Sequence, residues 1–203
     1  MFFVSLTIYT GMYTIEVITP PATEPVSVNE LKAQLRLNDD SEDTLLSAYI
    51  KTARELFEAY TGRAVHPTTF RQHVPYFNSR VYLMKSQARS IASVKYWDQD
   101  DNLQTVGSYS SDVISCPGSV WLESYPITSR SKHPKAYVQF EAGWDTDKVP
   151  EMAKTAIKLL AAHYYENRNS HSETNLQTVP MGFKAVCDGY KTGLIGPFGM
   201  GDK

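Results

Sequence analysis

The hydrophobic period of this chain changes twice, and those changes restrict its fold more than any motif does. Over residues 42–61 the apolar positions Leu45, Leu46, Tyr49, Ile50, Ala53, Leu56, Phe57 and Tyr60 recur at spacings of three and four, the stripe of an amphipathic helix. From residue 66 to residue 144 the period becomes two, as in half-buried strands. From residue 149 the helical spacing returns through Met152, Ala153, Ala156, Ile157, Leu160, Ala161 and Tyr164. Helix, then short strands, then helix fits an α+β fold. The expected form is a small helical bundle with an antiparallel β-rich insertion between its helices.

Local signals set the boundaries. Pro20, Pro21 and Pro25 each bias the preceding residue away from helix, so the segment around them is an extended lead-in. Ser27-Val28-Asn29-Glu30 reads as a capping box and opens a short helix that ends near Leu37. Asn38-Asp39-Asp40-Ser41 breaks that helix. A second is predicted over 42–61, with acids in its first turn where the dipole favours them and Gly62 just past its end. Strands are predicted over 68–74, 80–84, 91–97, 103–106, 109–114, 119–122 and 136–140. Pro150 suits the first turn of a third helix, which fades near Asn167, and a short amphipathic piece follows over 179–190. Residues 3–10 alternate and predict a strand, covered by a sheet or by a neighbouring subunit. The expected organisation is an N-terminal extension read as strand (1–17), a helical core (18–62 and 149–190), a β-rich insertion (63–148) and a Gly-rich C-terminal tail (191–203).

Composition removes several classes. The 203 residues carry 20 Lys and Arg against 22 Asp and Glu, a formal net charge of −2, which gives no global attraction to phosphates. With 13 Tyr, 8 Phe and 3 Trp, the chain is too aromatic and too balanced in charge for intrinsic disorder. Its two cysteines, Cys116 and Cys187, allow one bridge at most and read as free buried thiols of a reducing cytoplasm. No stretch reaches the roughly 20 apolar residues of a spanning helix, and the start lacks the basic region and cleavage site of a secretory signal. No membrane is expected.

Charge is distributed unevenly. Residues 24–60 hold eight acids and four bases, whereas residues 61–97 hold Arg63, Arg71, Arg80, Lys85, Arg89 and Lys95 and no acid. Such segregation suits electrostatic docking between like subunits. The candidate contact residues are Arg71, Arg80 and Lys85 on one side and Asp39, Asp40 and Glu42 on the other. A solvated sheet face is the competing reading.

No catalytic constellation stands out. His163 and Glu166, three apart on a helix, offer two metal ligands, but no second helical pair completes a site. Neither a metal nor another cofactor is expected. Lys184 lies one turn from Cys187, which favours a thiolate, but Phe183 and Val186 beside it favour a buried structural thiol. The aromatics interleave with Arg and Lys and could stack on bases or anchor protein contacts; without a basic surplus the second reading is preferred. At the C-terminus Phe183, Val186 and Tyr190 form one stripe, and Leu194, Ile195 and Phe198 follow among glycines. Both groups are candidate docking residues. The residues alone therefore describe a non-enzymatic assembly protein. The alternatives are a nucleic-acid-binding module using Arg71, Arg80, Lys85 and the aromatics, and a metal-dependent hydrolase using His163 and Glu166.

Several sequence blocks carry a resemblance: Ile18-Thr19-Pro20-Pro21, SVNELKAQLRL from Ser27, LFEAYTGRAV from Leu56, SIASVKYWD from Ser90, VQFEAGW from Val138, VPEMAKTAIKLLAAHYYENR from Val149 and, closing it, Val179–Lys191 with its Pro-x-Gly-Phe start and Gly-Tyr-Lys end. In this order and spacing they resemble the head–tail connector (adaptor) proteins of tailed bacteriophages, which dock beneath the portal ring. The resemblance implies a helical bundle with a β insertion, no catalysis, and a ring of about twelve copies. It also implies a lumen through which the genome passes without sequence-specific binding. The implied partners are the portal, with the C-terminal docking residues assigned to it, and the next neck or tail-completion protein. The implied location is the virion neck, after assembly in the host cytoplasm. The N-terminal extension and the Gly-rich tail depart from this pattern.

Overall fold

The computed structural model describes residues 7–10, 13–76, 80–167 and 181–191. The capping box at Ser27 forms: the Ser27 hydroxyl accepts the Glu30 N–H at 3.2 Å and the Glu30 carboxylate accepts the Ser27 N–H at 2.7 Å. Helix α1 (Val28–Leu35) follows and stops at Arg36, whose φ of 57° is left-handed. Helix α2 (Asp43–Thr61) ends on Gly62, which at φ 72° turns its N–H back to the Glu58 carbonyl. Helix α3 (Glu151–Glu166) starts directly after Pro150, and α4 (Met181–Tyr190) completes the bundle.

Helices α2 and α3 form its centre. Tyr49 near the start of α2 packs on Tyr164 near the end of α3, with centroids 6.1 Å apart. The Tyr165 hydroxyl donates to the Glu42 carboxylate. The two helices therefore run antiparallel. Leu46, Ile50, Ala53 and Phe57 are buried with Ala153, Ala156, Ile157, Leu160 and Ala161. Burying each large apolar side chain contributes about 1.5–3 kcal/mol, and the alanines allow the helices a close approach. Leu31 of α1 and Phe183 and Cys187 of α4 seal the same core.

Between α2 and α3 lie β3 (Thr68–Val74), β4 (Val81–Tyr82), β5 (Ala88–Trp97), β6 (Leu103–Thr105), β7 (Tyr109–Asp112), β8 (Ser119–Leu122) and β9 (Ala136–Ala142). Before α1 come β1 (Thr7–Thr10) and β2 (Tyr13–Thr19). All the pairings between named strands are antiparallel. One sheet has the order β1-β2-β3-β9-β5-β6 and a smaller one β4-β8-β7. In β3 and β9 alternate residues are buried. Phe70, Gln72, Val74, Ala136, Val138, Phe140 and Ala142 face the second core, leaving Arg71, His73 and Tyr137 on the outer face.

The architecture is the expected α+β one, with local differences. The strand predicted over 3–10 is described from Thr7 onward; it pairs with β2, and β2 pairs with β3. The extension expected as strand over 1–17 also holds β2, which runs on to Thr19 at the edge of the proline lead-in. The strand predicted over 80–84 keeps ladder pairing only at Val81 and Tyr82. Beyond it, the buried Gln72 amide takes the place of a strand: its Nε2 donates to the Tyr82 carbonyl and its Oε1 accepts the Met84 N–H, both at 2.8 Å. Cys116 is exposed rather than buried. The bundle and the large sheet meet closely at Gly143 (φ 125°), where an added Cβ would lie 2.1 Å from the His66 carbonyl oxygen.

Candidate interaction surfaces

The segregation of charge along the sequence is reduced by folding: strand pairing brings acids to Arg71 and Arg89, and backbone carbonyls take Arg63 and Lys85. Arg71 sits opposite Glu16 of β2, with Nη1 3.6 Å from its carboxylate. Arg89 pairs with Glu141 at 3.6 Å and also with Asp145. Arg63 donates to the Tyr190 carbonyl at 2.7 Å and so closes the last turn of α4. Lys85 is 5% exposed, and its ammonium donates to the Glu58 carbonyl at 3.1 Å near the end of α2. Burial pushes the Lys85 pKa down against the opposing pull of Glu58. Lys85 is a core residue, which corrects its reading as a surface contact: a lysine that ends on a helix carbonyl cannot be told in sequence from a solvated one. Arg80 is exposed, with its guanidinium 4.8 Å over the Trp121 ring.

On the acidic side, Asp39 and Asp40 lie in a turn exposed from Asn38 to Ser41. The Asp39 carboxylate accepts both the hydroxyl and the N–H of Ser41, and these hydrogen bonds hold its pKa below the usual range. Asp40 pairs with Lys32 at 2.5 Å. Glu42 is half-buried and engaged by Tyr165.

The C-terminal stripe points inward. Phe183 is 1% exposed and stacks edge-on against Phe57 and Tyr60, so it belongs to the bundle core and cannot dock a partner. Tyr190 packs between Phe57 and Trp144, with centroids 6.0 Å from each. Val186 is half-buried against the same core. Leu194, Ile195 and Phe198 lie outside the described residues. Burial, reinforced by Asp188, pushes the Cys187 thiol up to about 12, which disfavours the thiolate form. His163 Nδ1 lies 3.2 Å from the Asn167 amide. Among the described residues no three His, Cys, Asp or Glu side chains gather as metal ligands.

Two features carry no signal in the residue pattern. One is Arg54, buried on α2 and bonded to Glu24 at 2.7 Å and Glu58 at 3.0 Å. Burial alone would lower its pKa, but the carboxylates of Glu58 and Glu24 outweigh it and the pKa is raised. The other is a cavity of about 300 Å³ on the outer face of the large sheet, which gathers Arg71, His73, Trp97, Lys132, His133 and Tyr137. Its members are scattered over sixty-odd positions, and the period-two pattern shows only that some of them face outward.

A helical bundle with two antiparallel sheets defines an α+β fold. Residues 25–111, which span α1, α2 and the insertion as far as β7, match the family described as phage gp6-like head-tail connector protein. This meets the resemblance read from the sequence blocks. No curated protein matches the chain by sequence. Among solved structures, a chain in the virion of a native gene transfer agent particle superposes with a TM-score of 0.73 at 19% identity, covering 88% of this chain and 95% of that one. A chain in the neck of an empty such particle, computed with C6 symmetry, gives 0.70 at 19% identity with the same coverage. One in the neck of a native particle, computed with C12 symmetry, gives 0.69 at 18% identity, covering 88% and 94%. At these identities the likeness is one of fold.

Proposed function

We propose that this chain is the subunit of a head–tail connector ring in the neck of a tailed phage or phage-like particle, a structural role without catalysis. The observation that carries the reading is the agreement of two independent likenesses. The connector family matches residues 25–111, and the fold of neck-particle chains extends over 88% of the chain. Neighbours computed with sixfold and twelvefold symmetry support a ring, since head-to-tail contacts close when the rotation permits. In this reading the ring sits between the portal and the next neck or tail-completion protein. The genome passes through its lumen, and assembly takes place in the host cytoplasm. Leu194, Ile195 and Phe198 reach the portal, while Phe183 holds α4 in place behind them.

Electron microscopy of the purified chain mixed with its portal tests this. The expected result is a second ring stacked coaxially on the portal. Portal rings that remain bare at saturating chain would overturn the reading.

A further inference from the structure

The outer-face cavity is a built cationic socket. Arg71 comes from β3, Tyr137 from β9 and Trp97 from the end of β5, and Lys132 and His133 come from the loop before β9. Each fixed cation lies on a ring: the Arg71 guanidinium is 4.8 Å from the Tyr137 centroid and the Lys132 ammonium 5.3 Å from that of Trp97. Such stacking holds long side chains in place before any ligand arrives, which lowers the ordering cost of binding. The Arg71 Nε is buried and has no hydrogen-bond acceptor among the described residues. Against these cations stands Glu16, 3.6 Å from Arg71 and 3.5 Å from His73. The cavity lining itself holds two fixed cations and no acid; Glu16 stands beside Arg71, Asp101 lies near enough to Lys132 to feel its charge, and the Arg71 Nε remains an open donor.

We infer that this socket receives the acidic turn between α1 and α2 of a second copy of the chain, with Asp39 directed toward Arg71 and Lys132. The inference rests on the ring reading above. About 300 Å³ suits one or two side chains and a little backbone, not a nucleic-acid duplex. The surroundings also disfavour a long polyanion. Asp101 accepts hydrogen bonds from Ser129 and Ser131 in the loop that carries Lys132, and Asp98 lies next to Trp97. A phosphate backbone leaving the socket would run onto these carboxylates, whereas a single projecting aspartate would not. The turn fits the complementary role. It is exposed from Asn38 to Ser41, its shape is fixed by the Asp39–Ser41 hydrogen bonds, and Asp39, Asp40, Glu42 and Asp43 crowd it against Lys32. Within one chain the turn sits beside the end of α3 and does not line the socket. A contact that joins different patches on two copies is heterologous, the kind that builds rings.

Charge exchange tests the pairing by sedimentation velocity of the full chain at low and high salt. Asp39→Lys and Lys132→Glu are expected each to weaken self-association about tenfold at low salt, with unchanged melting temperatures. The double variant Asp39→Lys/Lys132→Glu is expected to recover association, because every interface then carries a reversed attractive pair. Single variants that assemble like the wild type overturn the socket contact and leave the ring reading standing. Folded single variants whose double shows no recovery also overturn it. So does loss of single-stranded oligonucleotide binding by Lys132→Glu with assembly intact, which would assign the socket to nucleic acid. A wild-type chain that stays monomeric, alone and with its portal, overturns both the contact and the ring.

Discussion

His66 is enclosed at the joint between bundle and sheet, 1% exposed, and neither ring nitrogen makes a hydrogen bond among the described residues. Burial lowers its pKa below the ordinary 6.5; Glu24 opposes this, while Arg54 and Lys154 add to it. The folded state therefore takes up a proton later than the unfolded chain does as the pH falls. This contribution to stability is complete above the ordinary histidine value and is lost on acidification below it. Replacing His66→Leu should raise stability near neutrality by about 1 kcal/mol, since an unsatisfied buried polar group is removed. It should also reduce the loss of melting temperature between neutral pH and about pH 5. Thermal melts of both proteins across that window check this, and an unchanged acid slope counts against the assignment. Nothing in the sequence marks His66 as different from His73 or His133. The distinction comes from the close approach at Gly143, which a one-dimensional pattern does not contain. Ser27 was legible for the opposite reason: its partner, Glu30, is three residues away, so the whole device lies in one short window.

The helices were readable because each is a local object with one apolar stripe, and the stripes on α2 and α3 match in length and in residue size. Leu160 is fully buried between them. Leu160→Ala should cost about 2–5 kcal/mol, depending on how far the alanine-lined interface can collapse, measured as a shift in the denaturant midpoint. The strands were readable singly, because period two is also local. Their order was not: β3 and β9 are neighbours in the sheet yet lie more than sixty residues apart, and the bulges that shift the β5–β9 register leave no trace in the alternation. Least readable was the link between the sheets. Gln72 occupies an inward position in an apolar alternation, where a sequence reading expects a hydrophobe. In place it bonds two backbone groups beside β4. Gln72→Leu preserves the volume and the pattern but leaves the Tyr82 carbonyl and the Met84 N–H without this partner. We expect a loss of about 1–3 kcal/mol and a larger rise in amide exchange at Met84 than in the paired strands. A uniform change in exchange rates, or a gain in stability, would show that water or a backbone shift replaces the amide at no cost.

At the scale of the whole molecule, the distribution of charge in the fold differs from that in the sequence, which changes what can drive assembly. Most cations of the basic run are held internally by Glu16, Glu141, Asp145 or a helix carbonyl. Broad attraction between an acidic and a basic half is therefore weak, and under the proposed ring reading contacts between molecules are left to a few placed groups and to residues 192–203. Among the described residues the end of the bundle is well anchored. Arg63 binds the Tyr190 carbonyl, Tyr190 is fixed between Phe57 and Trp144, and Lys191 pairs with Asp188 at 2.8 Å while lying 4.6 Å over the Tyr60 ring. Residues 192–203 thus follow a fully anchored helix end, and they carry Leu194, Ile195 and Phe198 among four glycines. If those apolar residues serve the bundle, removing them destabilises it. If they serve the portal, the chain without them keeps its fold and loses its partner. Ordering such a segment on a partner costs about 1–2 kcal/mol per backbone residue, so Phe198 must fill a pocket to offset it. We expect the chain truncated after Lys191 to melt within about a degree of full length and to bind portal rings at least tenfold more weakly in a pull-down titration. Phe198→Ala alone should reproduce most of that loss. Full binding by the truncated chain, or a marked fall in its melting temperature, would return these residues to the bundle and place the portal contact elsewhere on the ring.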